Sequence, residues 1–237
     1  QVIGCELWSD AEGFDEATVK TGITGICGSG IIEVVAEMYL AGVVTQDGVI
    51  DGGLAAMNER IQPDGRTFSY EIMPATETRG AVKIMQNDIR AIQLAKAALY
   101  AGIKLLMQYQ QVDKVDRIRF AGAFGSHIDV KYAMVLGLIP DCALDEVSSA
   151  GNAAGTGARI ALLNESSRAE IEQVVRKIEK IETAVEPDFQ QLFIDAMAFP
   201  NKVDAFPELE KVVTLPPIKE AKAETEGGEK KRRRRRS

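Results

Sequence analysis

A single histidine and three cysteines in 237 residues leave little from which to assemble a metal centre. Cys5, Cys27 and Cys142 lie far apart and form no C-x-x-C pair, so neither a disulfide framework nor an iron-sulfur ligand set is indicated, and a reducing cytoplasm fits best. His127 has no neighbouring ligands to form a metal cluster and no nucleophilic Ser or Cys in view, so a loop-capping role suits it. No apolar run approaches the ~20 residues needed to cross a bilayer, and no signal-peptide pattern opens the sequence. The start at Gln1, in what reads as mid-domain sequence, is expected of a piece of a longer protein. Two familiar phosphate-binding patterns are also missing. There is no G-x-x-x-x-G-K-[ST], and G-x-G-x-x-G fails at Glu33 after Gly28-Ser-Gly30 and at Ile160 after Gly155-Thr-Gly157.

What is present is an ordinary globular composition, 46% hydrophobic and 27% charged, with an uneven charge distribution. Residues 230–236 hold seven of the 28 basic residues, so the 229 residues before them carry 21 bases against 35 acids, a balance of -14. An acidic body argues against general or sequence-specific nucleic-acid binding. Beyond Pro200 the sequence turns to prolines and then to Glu, Lys and Gly, which reads as a disordered tail over 201–237 with a polybasic end.

Glycines are the informative residues. Arg117-Ile-Arg-Phe120 alternates as a strand with one buried face, and Ala121-Gly-Ala-Phe-Gly-Ser-His-Ile-Asp129 then turns and opens a helix. Such a loop uncovers backbone N–H groups at a helix start, which suits a phosphate, and its flat surface lets an aromatic base approach. Gly25-Ile-Cys-Gly-Ser-Gly30 leads in the same way into a helix that closes at Gly42, and Gly151-Asn-Ala-Ala-Gly-Thr-Gly157 into a third. Between them, residues 1–7 read as a strand, 43–80 as a small β-rich, hairpin-like insertion, and 81–85 as another strand. Asn87 or Asp88 then caps a long helix ending near Gln111. On that helix Ile92, Ala95, Leu99, Ile103 and Leu106 recur at helical spacing and mark the face expected to be buried. Helices over 130–136, 167–179 and 187–198 and strands over 147–150 and 181–185 complete the reading. Alternating strands, glycine turns and helices define an α/β domain with its ligand at the strand ends.

Five motifs in one order carry a resemblance spanning residues 1 to about 210. They are Gly25-Ile-Cys-Gly-Ser-Gly-Ile-Ile-Glu33, the helix Ile92 to Lys104, Ala121-Gly-Ala-Phe-Gly125 with Gly137-Leu-Ile-Pro-Asp141, Gly151-Asn-Ala-Ala-Gly-Thr-Gly157, and Pro187-Asp-Phe-Gln190. Together they resemble the C-terminal region of the reductive activators of corrinoid proteins, which belong to the actin, chaperone and sugar kinase superfamily. The resemblance implies an RNase H-like lobe of an actin-like ATPase, covering residues 1–200, that binds ATP with Mg²⁺ against a second lobe. It implies adenosine contacts from Gly122, Ala123, Phe124 and Gly125, and phosphate contacts from Gly28, Ser29 and Gly30. By likeness to the chaperone branch it implies adenine and ribose contacts from Gln93, Lys96 and Tyr100; a lysine snorkelling to the surface is the plain alternative for Lys96.

The activity implied is ATP-driven return of an inactive Co(II) corrinoid protein to Co(I), with electrons from a [2Fe-2S] domain. The corrinoid protein would be the partner and a homodimer the assembly. The cluster cysteines, the first phosphate loop and the metal-handling carboxylates of that family are not in this sequence, so catalytic residues are not assigned and the fragment alone is expected to be inactive. A non-catalytic lobe that docks the corrinoid partner or dimerises is the alternative.

Overall fold

The computed structural model describes residues 5–7, 11–19, 22–77, 79–122 and 124–217. Residues 1–4 of the expected first strand lie outside that part, and 5–7 form no strand. A short helix, α1 (Phe14–Thr18), buries Phe14 within the polar segment that follows.

Helix α2 (Gly28–Leu40) forms because its apolar residues fall on one side, burying Ile32, Val35, Ala36, Met38 and Tyr39. Gly42, at φ 70, ends it: the N–H of Val43 returns to Met38 O at 2.9 Å and that of Gly42 to Tyr39 O at 2.9 Å. An antiparallel bridge, Val44 with Ile50, follows. Strands β1 (Ile61–Asp64) and β2 (Thr67–Met73) make the expected hairpin across Gly65, and β3 (Val82–Met85) pairs antiparallel with β2. The insertion therefore shares a three-stranded sheet with the strand after it.

Helix α3 (Gln86–Gln110) is the longest element. Asp88 caps its start by accepting the Met85 N–H at 2.8 Å, and Gln111 ends it with a left-handed backbone, φ 55. The face expected to be buried is a different one from the face that is. Leu99 is 47% and Leu106 55% exposed, whereas Ile89, Gln93, Lys96, Ala97, Tyr100 and Ala101 are buried. The physical reason is that the segment packed on this side offers backbone carbonyls, and polar side chains at these positions satisfy them.

Then come β4 (Ile118–Phe120), α4 (Val130–Val135), β5 (Val147–Ser149), α5 (Ala153–Leu163), α6 (Glu165–Val175), α7 (Phe189–Asp195) and α8 (Pro207–Glu210). Strands β4 and β5 pair in parallel, Ile118 opposite Val147 and Phe120 opposite Ser149. The strand expected over 181–185 is instead a 3₁₀ turn, Thr183–Val185. Helix α7 packs along α3, and α4 along α2.

The disordered tail expected from Pro200 onward also needs correcting. Phe206 and Leu209 are buried in the main core, each contributing about 2 kcal/mol of apolar burial. Asp141 caps α8, accepting the N–H groups of Glu208 at 2.9 Å and Leu209 at 3.0 Å. Pro207, part of the composition that suggested disorder, is the first residue of a helix, where its missing N–H costs nothing. The polybasic end lies outside the described residues. Among the described residues no helix is long and apolar enough to cross a membrane.

Candidate functional site

The parallel pair β4–β5 brings two glycine turns side by side at its carboxyl end. The ladder continues past the strands, with Ala150 N–H donating to Phe120 O at 2.7 Å and Gly122 N–H to Gly151 O at 2.8 Å. Gly122 (φ 112) and Gly151 (φ 61) both need the backbone freedom of glycine, and a Cβ at either would meet no atom within 4 Å. Both turns thus face open space. Gly125 answers to a different demand, since a Cβ there would lie 2.7 Å from Phe120 Cβ. Ser126 bridges the two turns, its hydroxyl within 3.0 Å of Ser149 Oγ and 3.2 Å of Gly122 O. Phe124 begins a 3₁₀ turn, Phe124–Ser126, while Ala123 lies outside the described residues. Asn152 caps α5 through the Gly155 N–H at 2.9 Å, as Asp129 caps α4 through Tyr132 N–H at 3.3 Å.

The third glycine mouth is the start of α2. At the start of α2, Cys27 Sγ accepts the Gly30 N–H at 3.4 Å and lies 3.5 Å from Ser29 Oγ. These two contacts, the Ser29 hydroxyl first, hold the exposed Cys27 thiol below its ordinary pKa. The clefts beside this mouth, of about 370 and 550 Å³, are closed by residues of 22–27 and 80–84 rather than by the 122–125 turn. Tyr132, just beyond that turn, donates to Glu37, nine residues along α2 from Gly28, or ~13 Å of helix. Of the three mouths, the fold joins those at 122 and 151 by the continued β4–β5 ladder.

Gln93, Lys96 and Tyr100 share a face as expected, but their donor atoms are spent on residues 197–204 and on the turn at Asp47. Gln93 Nε2 donates to Met197 O and Asp47 O, both at 2.9 Å. Lys96, 1% exposed, donates to Ala198 O and to Pro200 O at 2.7 Å, with its ammonium over the Phe199 ring. Burial pushes its pKa down to about 7. Tyr100 donates to Asp204 Oδ2 at 2.7 Å; burial first, then this carboxylate, raises its pKa. Lys104 continues the row with Asp204 at 3.1 Å. Lys96 is therefore no snorkelling lysine; its ammonium and the Gln93 amide nitrogen meet protein carbonyls, and the Tyr100 hydroxyl meets a carboxylate. This clamp escaped sequence reasoning, although polar residues at positions 93, 96, 100 and 104, one helical face, were its signal.

Among the described residues no group of three or more His, Cys, Asp or Glu could hold a metal ion. Cys5 and Cys142 are buried and unpaired. The described residues therefore offer no ligand set for an iron-sulfur cluster.

The sequence pattern described as the C-terminal domain of RACo, the ASKHA domain, matches residues 2–210. The corrinoid activation enzyme RamQ of Eubacterium limosum is 35% identical over 193 residues, which are 78% of this chain and 32% of that protein. A solved reductive activator for corrinoid, iron-sulfur protein superposes with a TM-score of 0.65 at 31% identity, covering 75% of this chain and 28% of the other. The chain thus spans about a third of the length of these relatives.

Proposed function

This chain belongs to the family of the C-terminal ASKHA domain of RACo, and from that membership we propose that it is the nucleotide-binding part of an ATP-dependent reductive activator. Its mixed α/β fold is that of an actin-like ATPase, and the two relatives are named for corrinoid activation. The activator returns a corrinoid protein from Co(II) to Co(I), taking electrons from a [2Fe-2S] domain outside this sequence. Hydrolysis of the bound ATP supplies the free energy for that uphill step. The protein is cytoplasmic and homodimeric in this reading.

One observation carries the proposal: the turns at 122 and 151 are hydrogen-bonded neighbours, open to solvent, at the carboxyl ends of parallel strands. That is where open α/β sheets take their ligands. Residues 122–125 receive the adenosine. Gly28, Ser29 and Gly30 take the phosphates, supported by the exposed start of α2, with an extended nucleotide reaching from one to the other. Gln93, Lys96 and Tyr100 act behind the site by fixing 197–204. The Mg²⁺ carboxylates come from the partner lobe. The test is Gly122→Asp in the whole activator, which is expected to abolish ATP-stimulated corrinoid reduction; unchanged reduction refutes the reading.

The second reading, a docking or dimerisation lobe without turnover, is favoured by exposed apolar residues. Leu94, Leu99 and Leu106 on α3 and Leu162 and Leu163 on α5 are all more than two-fifths exposed. Nucleotide binding at 122–125 with no hydrolysis in the whole protein supports that reading over the first.

A further inference from the structure

A cleft of about 520 Å³ lies at the amino end of α3, between the 45–53 loop and the tip of the β1–β2 hairpin. Apart from Gln93, which the nucleotide reading sets behind its own site, the lining residues take no part in that reading, and the volume is that of a small-molecule site. The floor includes Gln93, 2% exposed. Its amide nitrogen is committed to Asp47 O and Met197 O, while among the described residues its oxygen accepts no hydrogen bond. One wall is the Phe68 ring, which sits so close to Gly52 that a Cβ there would lie 2.0 Å from it. Gly48 likewise leaves room for the Gln93 amide, 2.3 Å from where its Cβ would be. The loop's glycines thus shape the cleft.

Two arginines line it from separate elements, Arg66 beside the hairpin turn and Arg90 in the second turn of α3. Both are exposed, and among the described residues neither pairs with a carboxylate. Arg79 and Arg117, by contrast, pair with Asp15 and Glu146. Of the two acids at the cleft, Asp51 holds the turn by accepting the Gly53 N–H at 2.9 Å, and Asp47 is exposed at the rim. We propose that this cleft binds a small molecule with an anionic group, carboxylate or phosphate, on an apolar or aromatic body. The arginines take the anion, Phe68 and Val49 the body, and the Gln93 oxygen a donor on the ligand. Because Gln93 also holds Met197 O, the ligand bears directly on the clamp over 197–204.

The probes are phenyl phosphate, benzoate and inorganic phosphate, titrated without nucleotide into the 237-residue chain while the amide resonances of Gly48, Gly52 and Gly53 are followed. An aryl anion is expected to shift these resonances with saturation, and the tighter of phenyl phosphate and benzoate identifies the anionic group. Arg66→Gln and Arg90→Gln, which leave no buried partner unpaired, should each weaken binding roughly tenfold, with the melting temperature unchanged. Phe68→Leu should bring the aryl probes down to the affinity of inorganic phosphate. No saturable shift with either aryl anion overturns the proposal, and so does unaltered binding in the Arg66→Gln/Arg90→Gln double variant. Neither result depends on whether ATP binds at 122–125.

Discussion

Lys96 Nζ donates to the carbonyl oxygen of Pro200 at 2.7 Å from a side chain buried to 1% exposure. A second bond runs to Ala198 O, and no ion pair to Lys96 is found among the described residues. An amine keeps two donors after losing its charge, so both bonds survive when Lys96 is neutral. Burial, which depresses its pKa to about 7, therefore does not undo the clamp.

The pH dependence of stability follows. The folded-state pKa of Lys96, about 7, lies below the ordinary lysine value of 10.5, so between those values the unfolded chain binds the extra proton. Stability then rises with pH across roughly 7 to 10.5 and does not depend on Lys96 below that window. Urea unfolding from pH 6 to 10 should show this rise, and Lys96→Met should remove it. The same variant should lose about 2–4 kcal/mol at pH 7, since two buried carbonyls lose their donors.

Tyr100 and Lys104 both hold Asp204, at 2.7 and 3.1 Å. Tyr100→Phe should cost about 1–2 kcal/mol, and Asp204→Asn should cost less than the sum of its two bonds because the amide still accepts. A double-mutant cycle on Tyr100→Phe and Asp204→Ala is expected to give a coupling of about 1 kcal/mol. Additive losses would detach the tyrosine from the aspartate.

Gly137 and Gly122 separate packing from function. A Cβ at Gly137, φ 70, would lie 1.9 Å from Pro200 O, and this is backbone that cannot yield cheaply. Gly137→Ala should therefore destabilise the fold by more than about 3 kcal/mol, visible as a large drop in melting temperature. Gly122→Ala, strained at φ 112 but unobstructed, should cost about 1–2 kcal/mol. Its chief effect should be on nucleotide affinity, measured by calorimetry.

Cys27 is the reactive thiol. It is exposed with a lowered pKa, while Cys5 and Cys142 are buried and burial raises the pKa of Cys142. Iodoacetamide at pH 7.5 should label Cys27 first, and Ser29→Ala should slow the reaction by moving the thiol pKa back toward its ordinary value. Cys27→Ala should cost less than about 1 kcal/mol, because the thiol is a weak cap for α2.

The sequence disclosed most where backbone geometry rules. Gly42, Gly122 and Gly151 each mark a position whose positive φ demands glycine, and the ends of α2, β4 and β5 follow from them. It misled where burial depends on the partner. Leu99 and Leu106 are apolar yet exposed, whereas Gln93 and Lys96 are polar yet buried, because the 197–200 carbonyls need donors and periodicity cannot show what faces a helix. Pro207 misled in the same way, starting a capped helix in a stretch whose composition suggested disorder. The pairing of the turns at 122 and 151 is long-range geometry that no local motif encodes.

The central claim is that ATP binds across the turns at 122 and 151. Amide hydrogen exchange on the whole activator, with and without ATP and Mg²⁺, tests it most directly. Protection of peptides covering both 118–126 and 147–155 on ATP addition, absent in Gly122→Asp, is the expected result. Bound ATP that leaves exchange in both segments unchanged contradicts it.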